Sequence, residues 1–448
     1  MFRQLATSCL FAALLLPAAA RTRPHYGGTI HVEVTGDPLA GSAGLARRLI
    51  FNGLTALGLD GSVQPALAVS WQADDRWHRW QFTLRSNVTF QDGSPLTAAT
   101  VMDSLNRSCN GNCPWNAVRT LGATLIFTSD SPMPHLPAIL AGDPFLIALT
   151  VGADGLPPGK PTGTGPFQIV SSANGAVTLA ANQNCWAGRP FADSIEIRGH
   201  RSVRDQWLDL SVGRADLVEV PPEMLRQARQ QQLTLVVSPP VELLALQISS
   251  NGALANPRLR ASIAEAIDRS PLYNVIFQKQ GDLTAALLPQ QLTGYAFLFP
   301  TTRDLSKAVA LRGGLTAPLL KLAVEGDGAL QLAAQRIALN LHDAGFPVQV
   351  LPANAPGADL TLRELPLAGS NAGAVLAVVL HNAGLADPVS ASAPAALYRA
   401  EKDLLDAHTI VPLLDLPRAW AMSGQVRDFT LRPDGSPDLA DAAVESAP

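Results

Sequence analysis

Between Trp80 and Leu105 the chain changes its hydrophobic period, and this change restricts the fold more than any other stretch. Trp80, Phe82 and Leu84 alternate onto one face of a strand, Gln91-Asp92-Gly93-Ser94-Pro95 is turn chemistry, and Thr97 stands at a helix N-cap. Val101, Met102 and Leu105 then recur at helical spacing. Passage from strand to helix through so short a turn predicts mixed α/β architecture. Residues 29–34 alternate as a further strand, and Trp71, Trp77 and Trp80 read as core or strand-face residues.

The same signals recur downstream. Asn174-Gly175, whose residues both accept positive φ, predicts a hairpin between strands at 167–170 and 176–180. Ile195 and Ile197 mark a strand, Trp207 and Leu210 a helix ending at Gly213, and residues 217–220 another strand. Asn256-Pro257 is an N-cap with proline at the first helical position, opening a helix whose apolar face is Leu259, Ile263, Ala266 and Ile267. Leu330, Ala334, Ile337 and Leu341 form a second such face, which stops near Gly345 before a strand at 348–350. Residues 366–396, rich in Ala, Gly, Ser and Pro, carry no readable period. His381-Asn382 within them reads as a strand end, with a pocket-facing polar pair as the alternative.

With 448 residues, 47% of them hydrophobic and 16% charged, the chain can bury a large core in two or three folding units. A net charge of -4 provides no basic field for phosphate backbones, so nucleic acid is not an expected partner. Arg3, the apolar run from Cys9 to Leu16 and Pro17-Ala18-Ala19-Ala20 compose a secretory leader, with cleavage expected after Ala20. That run is too short to span hydrocarbon. Of the three remaining cysteines, Cys109 and Cys113 flank the turn-prone Asn110-Gly111-Asn112 and are the disulfide candidates. Cys185 reads as a small buried apolar residue.

Catalytic spacing is absent. The chain has no Gly-x-Ser-x-Gly elbow, no His-Glu-x-x-His and no Gly-x-Gly-x-x-Gly, and no two of its eight histidines sit at i, i+4. Gly155-Leu156-Pro157-Pro158-Gly159-Lys160 has the wrong spacing for a phosphate loop, and its prolines remove the N–H donors a cradle needs. The expectation is a protein that is not an enzyme and holds no metal or cofactor.

Four ordered blocks resemble the family 5 extracellular solute-binding proteins, the oligopeptide-, dipeptide- and nickel-binding components of ABC importers. The first is Gly27-Gly28-Thr29-Ile30 with Thr35-Gly36-Asp37-Pro38, Phe51-Asn52-Gly53-Leu54 and Pro65-Ala66-Leu67-Ala68 with Ser70-Trp71. The second, running from Trp80-Gln81-Phe82 through Asp92-Gly93-Ser94-Pro95-Leu96-Thr97-Ala98, is the most specific. Gly163-Thr164-Gly165-Pro166-Phe167 with Asn184-Cys185-Trp186 is the third, and Asn256-Pro257-Arg258-Leu259-Arg260 with residues 264–269 the fourth.

The resemblance implies a two-lobed periplasmic-binding-protein-like fold (type II, cluster C) with an additional inserted small domain. The first lobe would comprise 21–50, 162–243 and 410–448, the insertion 51–161, and a shortened second lobe 244–409, with crossings near 246–251 and 412–416. It further implies a periplasmic monomer that captures a peptide or peptide-like solute and passes it to an ABC importer permease. The alternatives are a metal-chelate or oligosaccharide carrier and a scaffold that has lost transport. The ligand-binding candidates are Thr35, Asp37, Trp115, Arg119, Thr164, Asn251, His381 and Asp387. Arg119 would take a carboxylate, Asp37 or Asp387 an amine, and Trp115 would stack on the solute. Relative to the family, residues 360–383 are compressed and lack a tryptophan.

Overall fold

The computed structural model describes residues 26–39, 44–109, 113–150, 160–326, 328–352, 357–386 and 393–445. The expected leader and Asp387 lie outside the described residues.

The chain opens with strand β1 (Thr29–Glu33) and helix α1 (Leu45–Ile50). It then builds a separate small domain from β2 (Ala68–Ala73), β3 (Arg79–Leu84), α2 (Ala98–Cys109), β4 (Ala117–Leu121), β5 (Thr124–Thr128) and α3 (Leu136–Ile139). Thr97 caps α2 as its position requires, its Oγ1 accepting from Thr100 N–H at 3.2 Å. These four strands form their own sheet, in the order β2-β3-β5-β4. Phe82, Phe90, Phe127, Phe145 and Trp115 fill its core. Trp77 departs from the strand-face expectation: it sits at φ 56° in the turn joining β2 to β3, with its N–H on Asp74 O.

Strands β6 (Phe167–Ala173), β7 (Ala176–Ala181) and β8 (Ser194–Arg198), helix α4 (Val203–Ser211), β9 (Leu217–Glu219) and helix α5 (Leu225–Gln230) complete the first lobe. The β6–β7 turn is the expected one, with Asn174 at φ 52° and Gly175 at φ 76°. The long strand β10 (Thr234–Ile248) leads into a second lobe of α6 (Pro257–Ala266), β11 (Leu320–Val324), α7 (Ala329–Asp343), β12 (Val348–Leu351), β13 (Leu360–Pro366), α8 (Ala372–Asn382) and α9 (Pro394–Asp406). β14 (Ile410–Met422) returns to the first lobe.

One eleven-stranded sheet runs through both lobes in the order β12-β11-β13-β10-β14-β9-β1-β8-β7-β6, and residues 282–283 add a short strand on β14. β10 and β14 are antiparallel partners across the whole junction. Their other neighbours change along the way: β13 pairs with β10 from Glu242 onward, whereas β9 pairs with β14 at Trp420 to Met422. Between these zones Pro240 lies opposite Pro417 and the register shifts twice. Two facing prolines cannot supply ladder N–H groups, so the sheet is interrupted where the lobes meet. Ser238 Oγ accepts Arg418 N–H at 2.9 Å in place of a ladder bond. The change of strand partners falls at 238–242 and 416–418, around the facing prolines.

The unread stretch contains α8, so His381 lies in the last turn of a helix and is not a strand end. Every residue from Gly373 to Leu380 is buried. Burial on all sides removes the alternation of apolar and polar positions that would mark an amphipathic helix in sequence.

Candidate functional site

Where the proline-interrupted strands cross, charged side chains from all three parts converge. Arg418 of β14 pairs through Nη2 with the Glu242 carboxylate of β10. Glu364 of β13 belongs to the same electrostatic cluster. From the first-lobe side, Arg48 of α1 bridges Asp143 of the inserted domain at 2.6 Å and Asp434 of the C-terminal segment at 2.7 Å. The Asp434 loop is built by the sequence Asp-Gly-Ser: Asp434 Oδ1 accepts from Ser436 N–H at 3.0 Å and from Ser436 Oγ at 2.6 Å. Gly435, at φ 75°, presses on the crossing strands. A Cβ there would stand 2.7 Å from Val241 Cγ2 and 2.8 Å from Arg418 Cβ.

These groups are enclosed by protein yet keep contact with solvent. Arg418 retains 30% of its side-chain surface, Arg48 20% and Asp143 15%. The junction is therefore a crevice of ionic groups that keep partial contact with solvent, which lowers the cost of enclosing this many charges. Burial pushes Glu364 up to about 8, and Glu242 adds to that against the opposing pull of Arg418. For Asp434 burial acts upward too, but Arg48 and the Ser436 bonds outweigh it and hold the group down at about 2. Burial also raises Asp143, despite Arg48. Glu219, at the end of β9, and Glu223, just beyond it, contribute further negative potential at Glu364. Arg47 and Arg432 add positive potential at Asp143 and Asp434, and the two arginines at the crossing, Arg48 and Arg418, are already engaged.

Beside the crevice the inserted domain meets the second lobe in an apolar seam. Helix α8 packs one side against Leu243, Ala245 and Leu365 of its own lobe, while Ala377 joins the core of the inserted domain. Helices α3 and α8 touch, and the Phe145 and His381 rings lie 5.2 Å apart. Two glycines permit the approach. A Cβ on Gly61 would be 2.7 Å from Gly369 O, and one on Gly373 would be 3.0 Å from His135 Nε2.

The residues proposed from sequence are dispersed. Thr35 donates from Oγ1 to Glu219 at 2.9 Å, which puts it beside the crevice. Asp37 accepts from Leu39 N–H at 2.8 Å in an exposed local turn. Trp115 is buried edge-on against Phe127 at 4.9 Å and beside Phe145 at 5.4 Å. Arg119 is exposed on β4, an edge strand of the small sheet. Thr164 is fully buried and donates to Asn52 Oδ1 at 2.9 Å, tying the first lobe to the inserted domain. Asn251 is exposed in the loop after β10, with its N–H on Ser249 Oγ. His381 is half-buried in the seam, and burial lowers its pKa. Cys109 and Cys113 are disulfide-bonded, with Cα atoms 4.9 Å apart. No group of metal-ligating residues occurs among the described residues.

Sequence reading overlooked the crevice residues Arg48, Asp143, Glu242, Glu364, Arg418 and Asp434. Two of them did carry a signal. Glu242 and Arg418 are charges inside long apolar strands, VELLALQI and IVPLLDLPRAWAM, where an unpaired charge would not be tolerated.

Residues 62–374 match the family described as bacterial extracellular solute-binding proteins, family 5 Middle. The Escherichia coli protein described as a probable D,D-dipeptide-binding periplasmic protein is 27% identical over 269 residues, covering 55% of this chain and 52% of its own length. A probable di/tripeptide-binding protein of Pseudomonas aeruginosa is 25% identical over 65% of this chain. The matched part spans roughly half to two thirds of these relatives, 52% and 64% respectively. Among solved structures, the agropinic acid complex of AgaA from Agrobacterium tumefaciens R10 superposes with a TM-score of 0.80 at 20% identity, covering 94% of this chain and 99% of that one. The Helicobacter pylori binding protein DppA, in complex with the peptide STSA, gives 0.76 at 18% identity over 94% and 99%. These likenesses establish the two-lobed fold, and the relatives are binding proteins, not enzymes. The sequence match over residues 62–374 makes the chain a member of the family 5 bacterial extracellular solute-binding proteins.

Proposed function

We propose that this protein captures a peptide-like solute between its lobes and delivers it to an ABC importer permease. The observation that carries this reading is the charged junction at the crossing of β10 and β14, where the sheet continues between the lobes through a proline-interrupted pair of strands. Capture by closure needs such a crossing, because bending there changes the gap without disturbing either core. The names of the relatives include a D,D-dipeptide, a di/tripeptide, the peptide STSA and agropinic acid, and a free peptide carries an amine and a carboxylate. In this chain the side carrying Glu242 and Glu219 would receive the amine. Arg418 would receive a carboxylate by exchanging its bond to Glu242 for the solute. We assign that role to Arg418 in preference to the exposed Arg119. The leader, cleaved near Ala20, would bring the mature monomer to the periplasm.

The test is to denature the purified protein and identify any released solute by mass spectrometry, then to titrate stripped, refolded protein with short peptides by calorimetry. A carried or bound peptide whose affinity falls at least tenfold in Arg418→Ala is the expected result. An empty protein that binds no peptide would overturn the reading. It would favour a second one, a scaffold that no longer transports, for which the apolar α8 seam is the supporting observation.

A further inference from the structure

Hinged capture requires the lobes to part, yet two independent contacts join them directly. The first is the α8 seam. Ala377 is 1% exposed and belongs to the inserted domain's core, His381 lies against Phe145, and Gly61 and Gly373 bring backbone to backbone and backbone to ring. The inserted domain is held equally firmly to the first lobe. Gln91 Nε2 donates to Ile50 O at 3.0 Å and to Phe167 O at 2.7 Å, and Asn52 Oδ1 accepts from Thr164 and Trp186. The seam therefore ties the second lobe to the first through the inserted domain.

The second contact is polar. Helix α7 is fifteen residues long and starts at Gly328, which has φ 58° and no side chain to cap it. The Glu223 carboxylate of the other lobe faces this start: burial raises its pKa, Ala329 N–H is close enough to pull it back down, and the carboxylate lies 3.8 Å from where a Cβ would sit on Gly328. Close by, Arg229 Nη1 of the first lobe donates to Gln280 Oε1 of the second at 3.4 Å. Parting the lobes would expose the apolar side of α8 to water and leave the first N–H groups of α7 without the carboxylate that faces them. Both changes oppose opening, and neither involves a solute.

We infer that this protein rests shut when empty, held by the α8 seam and by Glu223 acting as a latch on α7, so that loading a solute requires these contacts to break first. The inference rests on the capture reading for its biological meaning, but not for its test. If only the open form admits solute, the association rate scales with the small open fraction. Weakening the seam or the latch then speeds loading.

The decisive measurement is small-angle X-ray scattering on protein stripped of solute by unfolding and refolding, recorded with and without dialanine. Stripped protein is expected to scatter as the shut arrangement and to stay unchanged on addition of dialanine. A stripped protein that scatters as an opened one overturns the inference, whether or not dialanine contracts it. Failure of the capture reading would appear separately, as absence of any bound peptide in a protein that is nonetheless shut. Ala377→Arg should shift the scattering to the expanded form. Since that variant can fail to fold, Glu223→Ala supplies the second arm. Amide exchange in the first turn of α7 should accelerate at least tenfold, less so in Glu223→Gln, with α5 amides unchanged. Equal exchange in wild type and Glu223→Ala would remove the latch.

Discussion

Two of the contacts that join the lobes differ in nearly every physical respect. At the strand crossing the contact is ionic, partly exposed and interrupted by prolines. At α8 it is apolar, dry and close enough to demand glycine on two sides. The ionic contact contributes little net stability, since pairing two charges mainly offsets the cost of enclosing them. The apolar one gains from every square ångström removed from water. The difference teaches a division of labour: the seam supplies apolar burial, and the crossing supplies the charged surface that the proposed capture would use.

The sharpest way to break this contrast is Ala377→Arg, which drives an unpaired charge into the seam. It should destabilise the protein by about 4 kcal/mol, read as a fall in the urea midpoint. A loss under about 1 kcal/mol would mean the seam is not packed as described. Arg418→Met attacks the other contact and leaves Glu242 and Glu364 without their cation, at a loss of about 3 kcal/mol. Adding Glu242→Leu should return most of that loss, because the pair is then replaced by apolar groups. If the double variant is no more stable than the single one, the pairing is not what holds Arg418.

Glu364 sharpens the comparison through pH. In the folded protein its carboxyl keeps its proton up to about 8, against the ordinary 4.5 of an unfolded chain. The folded state therefore binds more protons across that window, and stability falls as pH rises through it. Glu364→Gln should be close to neutral at pH 5 and stabilise by about 2 kcal/mol at pH 9. Equal melting shifts at both pH values would contradict the raised carboxyl. The smallest effect is expected of Glu223→Ala, about 0.5–1 kcal/mol by chemical denaturation, the size of one lost helix cap. Its influence on the balance between shut and open should exceed its influence on folding.

Much of the fold was legible because local chemistry and final structure agree. Asn174-Gly175 turns where positive φ is needed, Asn256 caps α6 by accepting Arg258 N–H, and Thr97 opens α2. Helix α8 was illegible because its sequence AGAVLAVVLHN is apolar all round, which follows from being enclosed by two cores. The crevice was hidden for another reason. Arg418 and Glu242 are 176 positions apart, and Arg48 meets Asp434 from opposite ends of the chain. Their partnership exists only after the strands have crossed. Candidates such as Trp115 and Thr164 were chosen by residue type within motifs that the fold uses for packing and for joining domains.

The Asp434-Gly435-Ser436 loop has a practical consequence. Its aspartate secures Arg48, and its glycine lies against the strands on which bending would depend. A protein ending just before Asp434 would retain all eleven strands of the large sheet. It would nonetheless leave Arg48 with Asp143 as its one remaining carboxylate and remove the backbone that backs Val241 and Arg418, so truncation here would loosen the crossing while the large sheet stays whole.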